Sequence, residues 1–394
     1  MMPASKRDFL LLISIIGGLA LLSSTLSKTP VLPLFAHALG ATPAEIGWIV
    51  MASTVPGILI SFPAGALSDY LGKRTVMRVA LVIFATAPFL YLLVTDVTQL
   101  ILVRFYHGFA TAIFGTVATA AIAQRYIADR AAKLSTFSSA TIVGRSVAPF
   151  LGGALISLAS FHMVYVACAV SGVLALALSL WLPGETETAT TKIQRTAFFA
   201  SLRAVLANRY ILATSGVEAA LYLVFGAVEA FLALYAAQLG IPAWQIGIIL
   251  GAQLLSIVLL KPIMGTVSDK TGRERVIIPG LVVAGLSVLL LPVWSSLIGL
   301  IVLMSVFGIG FAAVSSSTSA LVADLTKNGA FGASMGVLST IMDVGQAIGP
   351  VLTGWMVGRY GYTAAFVLLA ALLLFAAGVF AALAWRYRRG RVNA

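Results

Sequence analysis

Long apolar runs alternate with short polar segments along nearly the whole chain of 394 residues. Each run has enough consecutive apolar residues for a helix that crosses about 30 Å of hydrocarbon. Because a chain inside a bilayer must satisfy its own backbone hydrogen bonds, these runs predict an all-α membrane protein. Twelve transmembrane helices are predicted, over residues 9–36, 44–68, 75–95, 97–126, 133–159, 161–182, 209–237, 243–267, 275–295, 297–324, 331–357 and 362–385.

One charged turn occurs twice in the sequence. Residues 65–74 read GALSDYLGKR, and residues 265–275 read GTVSDKTGRER. The two copies lie 200 positions apart, since 265 minus 65 is 200. A second pattern, of glycine and proline, occurs in residues 144–153 and again in residues 345–354, 201 positions later. A duplicated half in a membrane chain predicts two pseudo-symmetric bundles of six helices each.

The duplication sets the expected domain boundaries. The N-terminal bundle is predicted over residues 1–182 and the C-terminal bundle over residues 209–385. The polar stretch 183–208 is expected to be a cytoplasmic linker, and residues 386–394 a basic cytoplasmic tail.

The basic character of the chain is best explained by membrane topology. Only 10% of the residues are charged, whereas a soluble domain has about 25%. The formal net charge is +12, yet twenty of the 25 Lys and Arg residues fall on one side of the predicted membrane. By the positive-inside rule, both termini are cytoplasmic in a multi-pass protein of the plasma membrane, which in a bacterium is the inner membrane. Nucleic acid is not an expected partner.

Three segments resemble sequence motifs of the major facilitator superfamily. Residues 65–74 resemble its motif A, which that family has between the second and third helices. Residues 100–108, with Arg104, resemble motif B, and residues 144–153 resemble motif C. Motif C marks the drug- and metabolite:proton antiporters of the family. The resemblance therefore implies the twelve-helix fold of that family, transport by alternating access, and coupling to protons.

Motif A and its repeat are expected to form a conformational latch. Their glycines permit a tight turn, and Asp69 can cap a helix or pair with a basic residue in one conformation only. A simple turn with charges at the membrane surface is the alternative. The latch residues are Gly65, Asp69, Gly72, Lys73 and Arg74 in motif A and Gly265, Asp269, Gly272 and Arg273 in its repeat.

Motif C and its repeat are expected to bend helices during transport. Proline removes a backbone hydrogen bond, and small residues allow neighbouring helices to pack closely. Plain small-residue packing is the alternative. The residues concerned are Gly144, Pro149, Gly152, Gly153, Gly349, Pro350 and Gly354.

Carboxyl groups inside the predicted helices are the candidates for proton coupling. A charge at the bilayer centre costs at least about 3 kcal/mol, so apolar surroundings favour the protonated form of a carboxyl group. Asp343 is the leading candidate, and Glu218 and Glu229 are alternatives. By its resemblance to motif B, Arg104 is expected to assist proton transfer, unless it extends to the outer membrane surface.

Several other side chains are predicted to line a substrate cavity. Aromatic rings stack on flat apolar molecules, although packing against lipid is the alternative. A basic residue can bind an anionic group or pair with a carboxylate, and Lys28 is predicted to pair with Glu229 near the external side. The cavity candidates are Lys28, Arg145, Tyr222, Phe225, Ser316 and Gln346.

The sequence contains no motif that indicates an enzyme, a cofactor or a metal site. The turn at residues 65–74 has the wrong spacing for a phosphate-binding loop, and the three histidines are scattered. The predicted function is therefore secondary active transport by a monomer, with export of small amphipathic organic molecules or drugs in exchange for protons. Proton-coupled or facilitated uptake of a small polar metabolite is the alternative. A receptor or scaffold that transports nothing is the alternative of another class.

Overall fold

The computed structural model describes residues 6–183, 208–326 and 331–392. All regular structure within these ranges is helical. The chain forms two compact units. The first contains the described residues up to 183 together with Gly240–Gly251, and the second contains the remaining described residues. The predicted linker lies almost entirely outside the described residues.

The first unit contains, within its described part, the helices α1 (Lys6–Leu26), α2 (Val31–Ala38), α3 (Pro43–Ala52), α4 (Val55–Leu71), α5 (Lys73–Tyr91), α6 (Val97–Arg125), α7 (Arg130–Leu158) and α8 (Phe161–Ser179). Helix α1 packs against α7 and α8, and α5 packs against α6 and α8. Ile13, Phe84 and Phe114 are fully buried between these helices. The Ser23 hydroxyl of α1 donates to the carbonyl oxygen of the buried Cys168 in α8 at 2.9 Å.

The remaining helices in the described part of the chain are α9 (Arg209–Gln238), α10 (Ala243–Thr271), α11 (Arg273–Leu289), α12 (Leu297–Leu325) and α13 (Phe331–Val392). The residues of α10 up to Gly251 belong to the first unit. In the second unit, α9 packs against α12 and α13, and α11 also packs against both.

Ten helical segments in the described ranges are long and apolar enough to cross a membrane. Two predicted helices are interrupted, since the first comprises α1 and α2 and the second comprises α3 and α4. The last two predicted helices lie on either side of Gly361 within α13, where the backbone departs from helical angles with φ 81° and ψ 174°, so α13 comprises two helices. Helix α11 has 17 residues, which is at the lower end of the range that can cross a bilayer. The multi-pass all-α fold is confirmed, whereas the count of twelve stays a prediction.

Glycines at repeat-related positions separate helices in both halves of the chain. Gly72 lies between α4 and α5 with φ 87°, and Gly272 lies between α10 and α11 with φ 99°. Gly40 and Gly240 have φ 82° and 79° in the turns before α3 and α10. Residues with a Cβ rarely adopt these angles, which explains why glycine occupies all four turns.

Small residues bring helix backbones together at matched positions of the two units. In the first unit, a side chain at Gly144 of α7 would collide with the carbonyl oxygen of Gly18 in α1. In the second unit, a side chain at Gly345 of α13 would collide with the carbonyl oxygen of Ala219 in α9, and Gly349 meets α9 in the same way. The offset is 201 for both partners, since 345 minus 144 and 219 minus 18 each give 201. The repeat therefore preserves a helix–helix contact.

In the first unit, α7 also contacts the beginning of α10. A side chain at Gly153 would collide with the carbonyl oxygen of Ala243, and one at Gly247 would collide with that of Pro149. Pro149 and Pro350 both lie inside long helices. The packing role of these small residues is visible, and the bending role stays a prediction.

Candidate functional site

The second unit buries a carboxyl group, that of Glu218 in α9, with 1% of the residue exposed. The Thr318 hydroxyl of α12 donates a hydrogen bond to Oε2 of Glu218. Lys261 of α10 has an exposed side chain and lies close enough to Glu218 for an electrostatic interaction. We refer to Glu218, Thr318 and Lys261 as the carboxyl cluster.

Thr318 can serve either protonation state of Glu218. A hydroxyl group has one proton and two acceptor lone pairs, and the Val314 carbonyl oxygen lies 2.9 Å from Oγ1 of Thr318. When Glu218 is ionised, the hydroxyl donates to the carboxylate. When Glu218 is protonated, the carboxyl group donates to Thr318, which then donates to Val314. Neither state leaves the hydroxyl proton or the carboxyl proton without an acceptor, which would be costly in a buried site.

Three aromatic rings adjoin the carboxyl cluster. Tyr222 and Phe225 follow Glu218 by four and seven positions, so the three side chains share one face of α9. The Phe311 ring of α12 has its centroid 5.1 Å from that of Tyr222 and 4.9 Å from that of Phe225. Tyr222 and Phe225 are partly exposed, whereas Phe311 is buried. We refer to Tyr222, Phe225 and Phe311 as the aromatic group.

Glu218, Thr318 and the aromatic group lie along the contact between α9 and α12. Phe311 precedes Thr318 by seven positions, which is about two helical turns. Glu218 therefore contacts Thr318, and Tyr222, which follows Glu218 in α9, contacts Phe311, which precedes Thr318 in α12. Helices α9 and α12 are therefore antiparallel, and the Glu218 carboxyl group and the aromatic rings follow one another along their contact.

The first unit buries a cation, that of Arg104 in α6, with 3% of the residue exposed. One terminal nitrogen donates to Ser53 Oγ at 2.5 Å, and the other donates to the Tyr91 hydroxyl at 3.3 Å. Nε has no hydrogen-bond partner, and none of the described carboxylates forms an ion pair with this guanidinium. Neutral dipoles stabilise the charge, and the protein encloses the guanidinium. The role of Arg104 in proton transfer stays a prediction.

Ring systems surround the guanidinium of Arg104. His107 lies three positions later in α6, and its Nδ1 is 3.4 Å from the Tyr91 hydroxyl. The Tyr91 ring stacks on Tyr165 with centroids 4.5 Å apart and planes 4° apart. Nε2 of His107 and the hydroxyl of Tyr165 are buried and have no hydrogen-bond partner in the described ranges. We refer to Arg104, Ser53, Tyr91, His107 and Tyr165 as the arginine cluster.

Ser53 lies at the interruption of the predicted second helix. Helix α3 ends at Ala52 and α4 begins at Val55. A side chain at Gly108 of α6 would collide with the carbonyl oxygen of Ser53. Arg104 and Gly108 are one turn apart on α6, so a hydrogen bond and a close backbone contact hold α6 against the interruption.

The two other carboxyl candidates have different surroundings. Asp343 of α13 is half-buried, and no hydrogen bond or ion pair engages it within the described part of the chain. Glu229 lies further along α9 and is 8% exposed. Lys28 is partly buried between α1 and α2. The Lys28–Glu229 pair stays a prediction.

The remaining cavity candidates are spread over three helices. Arg145 of α7 is exposed. Ser316 of α12 donates to the Ala312 carbonyl oxygen of its own helix at 2.8 Å. The backbone of Gln346 in α13 packs closely against Gly226 in α9. Contact of these residues with a substrate stays a prediction.

The repeat of motif A contains an ion-pair network. Arg273 pairs with Asp269, and its Nε lies 3.0 Å from Oδ2 of Asp324. In motif A itself, Lys73 is buried, and Arg74 donates to the Leu180 carbonyl oxygen just after α8 at 2.9 Å.

The Asp69 side chain lies outside the described side chains. The latch therefore stays a prediction in both halves.

The sequence marks some members of these clusters and not others. Glu218 and Arg104 are recognisable because a charge inside an apolar helix is rare. Thr318 belongs to a hydroxyl-rich stretch, residues 315–319, from which the sequence favours Ser316 as a cavity residue. Phe311 is one of 21 phenylalanines, and Tyr91 is one of 11 tyrosines. Nothing in the local sequence distinguishes such rings from ordinary core residues.

Sequence comparisons relate the chain to membrane transporters. The model of the Major Facilitator Superfamily matches residues 13–244 and 214–394. An uncharacterized MFS-type transporter of Methanocaldococcus jannaschii is 25% identical over 340 residues, which is 84% of this chain and 87% of that protein. The quinolone resistance protein NorA of Staphylococcus aureus is 28% identical over 163 residues, which is 41% of this chain and 42% of NorA.

The fold agrees with these relationships. A crystal structure of a variant of the nucleoside transporter NupG superposes with a TM-score of 0.85, at 16% identity, over 95% of this chain and 99% of NupG. At that identity the likeness shows the fold alone. The family model covers nearly all of the sequence. The chain therefore belongs to the major facilitator superfamily, whose members are membrane transporters and not enzymes.

Proposed function

We propose that the protein exports small amphipathic organic molecules in exchange for protons, with Glu218 as the group that carries the proton. It works by alternating access as a monomer in a bacterial inner membrane, with both termini in the cytoplasm. The carboxyl cluster is the observation that carries this proposal. It supplies a buried carboxyl group with a hydrogen-bond partner suited to both of its protonation states.

Glu218 fits the role better than the carboxyl group that leads on sequence grounds. Asp343 is half-buried and has no hydrogen-bond partner in the described ranges, so nothing prepares it for both charge states. Glu218 is fully enclosed, and Lys261 is near enough to balance its negative charge. An ionised carboxylate at this depth is therefore less costly than an isolated one.

The aromatic group supports an amphipathic substrate. The partly exposed rings of Tyr222 and Phe225 offer flat apolar surface one and two turns beyond Glu218. A molecule with an apolar ring system and a cationic or neutral polar end fits this arrangement, with its rings on Tyr222 and Phe225 and its polar end near Glu218. The similarity to part of NorA, a quinolone resistance protein, supports drug-like substrates.

Coupling follows from competition at the carboxyl cluster. A cationic or hydrogen-bonding substrate is attracted by the carboxylate form of Glu218, whereas a proton removes that attraction. Proton binding from the outside and substrate binding from the inside then alternate. The proton-motive force supplies the energy, since the sequence offers no nucleotide-binding motif.

The test uses inside-out membrane vesicles with an acidic lumen and a pH-sensitive dye. Tetraphenylphosphonium, a neutral aromatic drug and an aromatic carboxylate are added in turn. We expect the cation or the neutral compound to release lumenal protons from wild-type vesicles. Glu218→Gln keeps the size of the side chain but cannot ionise, so release is expected to stop. Asp343→Asn and Glu229→Gln are expected to retain release.

Thr318→Val provides a second variant, with Ser305→Ala on the same helix as its control. Thr318 hydrogen-bonds to Glu218, whereas Ser305 donates to the Ile301 carbonyl oxygen of its own helix. We expect the first to impair release and the second to leave it intact. Release that survives Glu218→Gln but fails in Asp343→Asn would move the proton site to Asp343. An absence of release for every compound would contradict export and favour uptake or a non-transporting role.

A further inference from the structure

A cavity lies where α6 ends and α7 begins, outside the clusters described above. It has a volume of about 600 Å³. Its lining includes the cationic side chains of Arg125 and Lys133 and the carboxylate of Asp129. The distribution of Lys and Arg predicts that this end of the helices faces the cytoplasm.

The two cations of this cavity are not neutralised within the described part of the chain. Neither Arg125 nor Lys133 forms an ion pair with Asp129 or another described carboxylate. Nε of Arg125 is buried without a hydrogen-bond partner among the described residues, while the partly exposed side chain lines the cavity. A guanidinium has five N–H donors, so those outside the buried Nε can donate to an anionic oxygen.

Aromatic rings hold both cations in position. The guanidinium carbon of Arg125 lies 4.5 Å from the centroid of the Phe9 ring. The ammonium nitrogen of Lys133 lies 5.9 Å from the centroid of the Tyr126 ring. These cation–π contacts place the charges without neutralising them.

The start of α7 adds positive potential at the same cavity. Asp129 is the N-cap residue of this 29-residue helix, and its side chain makes no capping hydrogen bond. The first amide groups of the helix therefore have no side-chain acceptor from the cap, and the positive end of the helix dipole favours an anion.

We propose that this cavity binds the phosphodiester headgroup of an anionic phospholipid. Arg125, Lys133 and the start of α7 engage the phosphate. The partly buried Leu10 and the 72% exposed Ile127 line the same cavity and offer apolar surface for the lipid's glycerol and acyl groups. A lipid is favoured over a soluble phosphate because the lining joins cationic and exposed apolar groups at the end of membrane helices.

The test measures lipid binding by the purified full-length chain in detergent. Phosphatidylglycerol and phosphatidylcholine are titrated, and bound lipid is counted by native mass spectrometry while the unfolding temperature is recorded. We expect wild type to prefer phosphatidylglycerol. The double variant Arg125→Gln with Lys133→Gln is expected to bind it about thirty-fold more weakly, and Arg125→Lys with Lys133→Arg is expected to retain binding.

Two further variants test whether the loss of binding reflects only the removal of any surface cation, or misfolding. Lys270→Gln removes an exposed cation at the end of another helix and is expected to bind like wild type. Asp129→Asn removes the negative charge of the cavity and is expected to bind phosphatidylglycerol about fivefold more tightly, a gain that a misfolded protein would not show.

Three results would overturn the proposal. One is equal binding by wild type and the double variant, and another is an equal loss in Lys270→Gln. The third is stabilisation by inorganic phosphate that matches stabilisation by the lipid, which would assign the cavity to a soluble anion.

Discussion

The two units of this transporter bury charges of opposite sign. In the first unit, Arg104 is enclosed by neutral hydroxyl and ring groups and has no described counter-ion. In the second unit, Glu218 is enclosed by a hydroxyl group, with Lys261 in electrostatic range. The helix contacts of the two units nevertheless correspond at an offset of 201, as Gly144 and Gly345 demonstrate.

The two buried groups differ in whether their charge can change, since the Arg104 guanidinium stays positive and the Glu218 carboxyl group can be neutral or negative. A guanidinium remains protonated under all conditions that a protein meets, so Arg104 itself cannot release a proton. A carboxyl group changes its charge when it gains or loses a proton. The duplicated fold therefore keeps a helix contact in both halves, while the buried Arg104 and the buried Glu218 differ in whether they can gain and lose a proton.

The largest expected effect concerns the pH dependence of substrate binding. We expect wild type to bind tetraphenylphosphonium more tightly as the pH rises, by at most about tenfold per pH unit, because one proton competes with the cation. Glu218→Gln should remove this dependence. Binding is measured by equilibrium dialysis at several pH values. The proposed difference between the two buried charges would be wrong if Glu218→Gln retained the pH dependence of binding and Arg104→Met abolished it.

The next effect tests whether the repeated helix contact is equally important in both units. Gly144→Ala and Gly345→Ala would each place a methyl group against a backbone carbonyl, so each should lower the free energy of unfolding by about 1–3 kcal/mol. Gly115→Ala and Gly216→Ala have no neighbour within 4 Å and serve as controls. Stability is measured by denaturant titration in detergent. A loss confined to one unit would show that the contacts are not equivalent.

A smaller effect is expected when the charge of the arginine cluster is kept and its geometry is changed. Arg104→Lys retains the cation but cannot reach Ser53 and Tyr91 with two separate nitrogens. We expect a loss of about 1 kcal/mol of stability, as for one hydrogen bond. Arg359→Lys, at an exposed site, is the control. Equal stability of Arg104→Lys and wild type would mean that charge alone matters.

The smallest effect concerns the ion pairs near the repeat of motif A. Asp324 is 56% exposed at its side chain, and its counterpart at an offset of 200 is the uncharged Gln124. We expect Asp324→Asn to lower stability by no more than about 1 kcal/mol, and less in concentrated salt. Unfolding at low and high ionic strength measures this. A salt-independent loss above that value would indicate a structural role beyond the ion pair.

Much of the fold can be predicted from the sequence because membrane helices are recognisable as long apolar runs. The same reasoning misses the interruptions at Ser53 and near Pro30. An interrupted apolar segment has the same composition as a continuous one.

The candidate site could be predicted only at its charged members. Glu218 stands out in an apolar helix, whereas its partner Thr318 does not stand out among neighbouring hydroxyl residues. Asp343 and Glu218 look alike in sequence, since each is a carboxyl group in an apolar helix, but they differ in burial and in hydrogen bonding within the described residues. Burial and hydrogen bonding depend on helix rotation, which a hydrophobic pattern spread around the whole helix does not determine.

The enclosed position of Cys168 has a practical consequence. It is the single cysteine of the chain, and 0% of it is exposed. Thiol-directed labels react with accessible thiolates, so the native chain should remain unlabelled by water-soluble reagents. Cysteines introduced in pairs on two helices would then carry all of the label. Spectroscopic rulers could follow the transport cycle without first replacing a native residue.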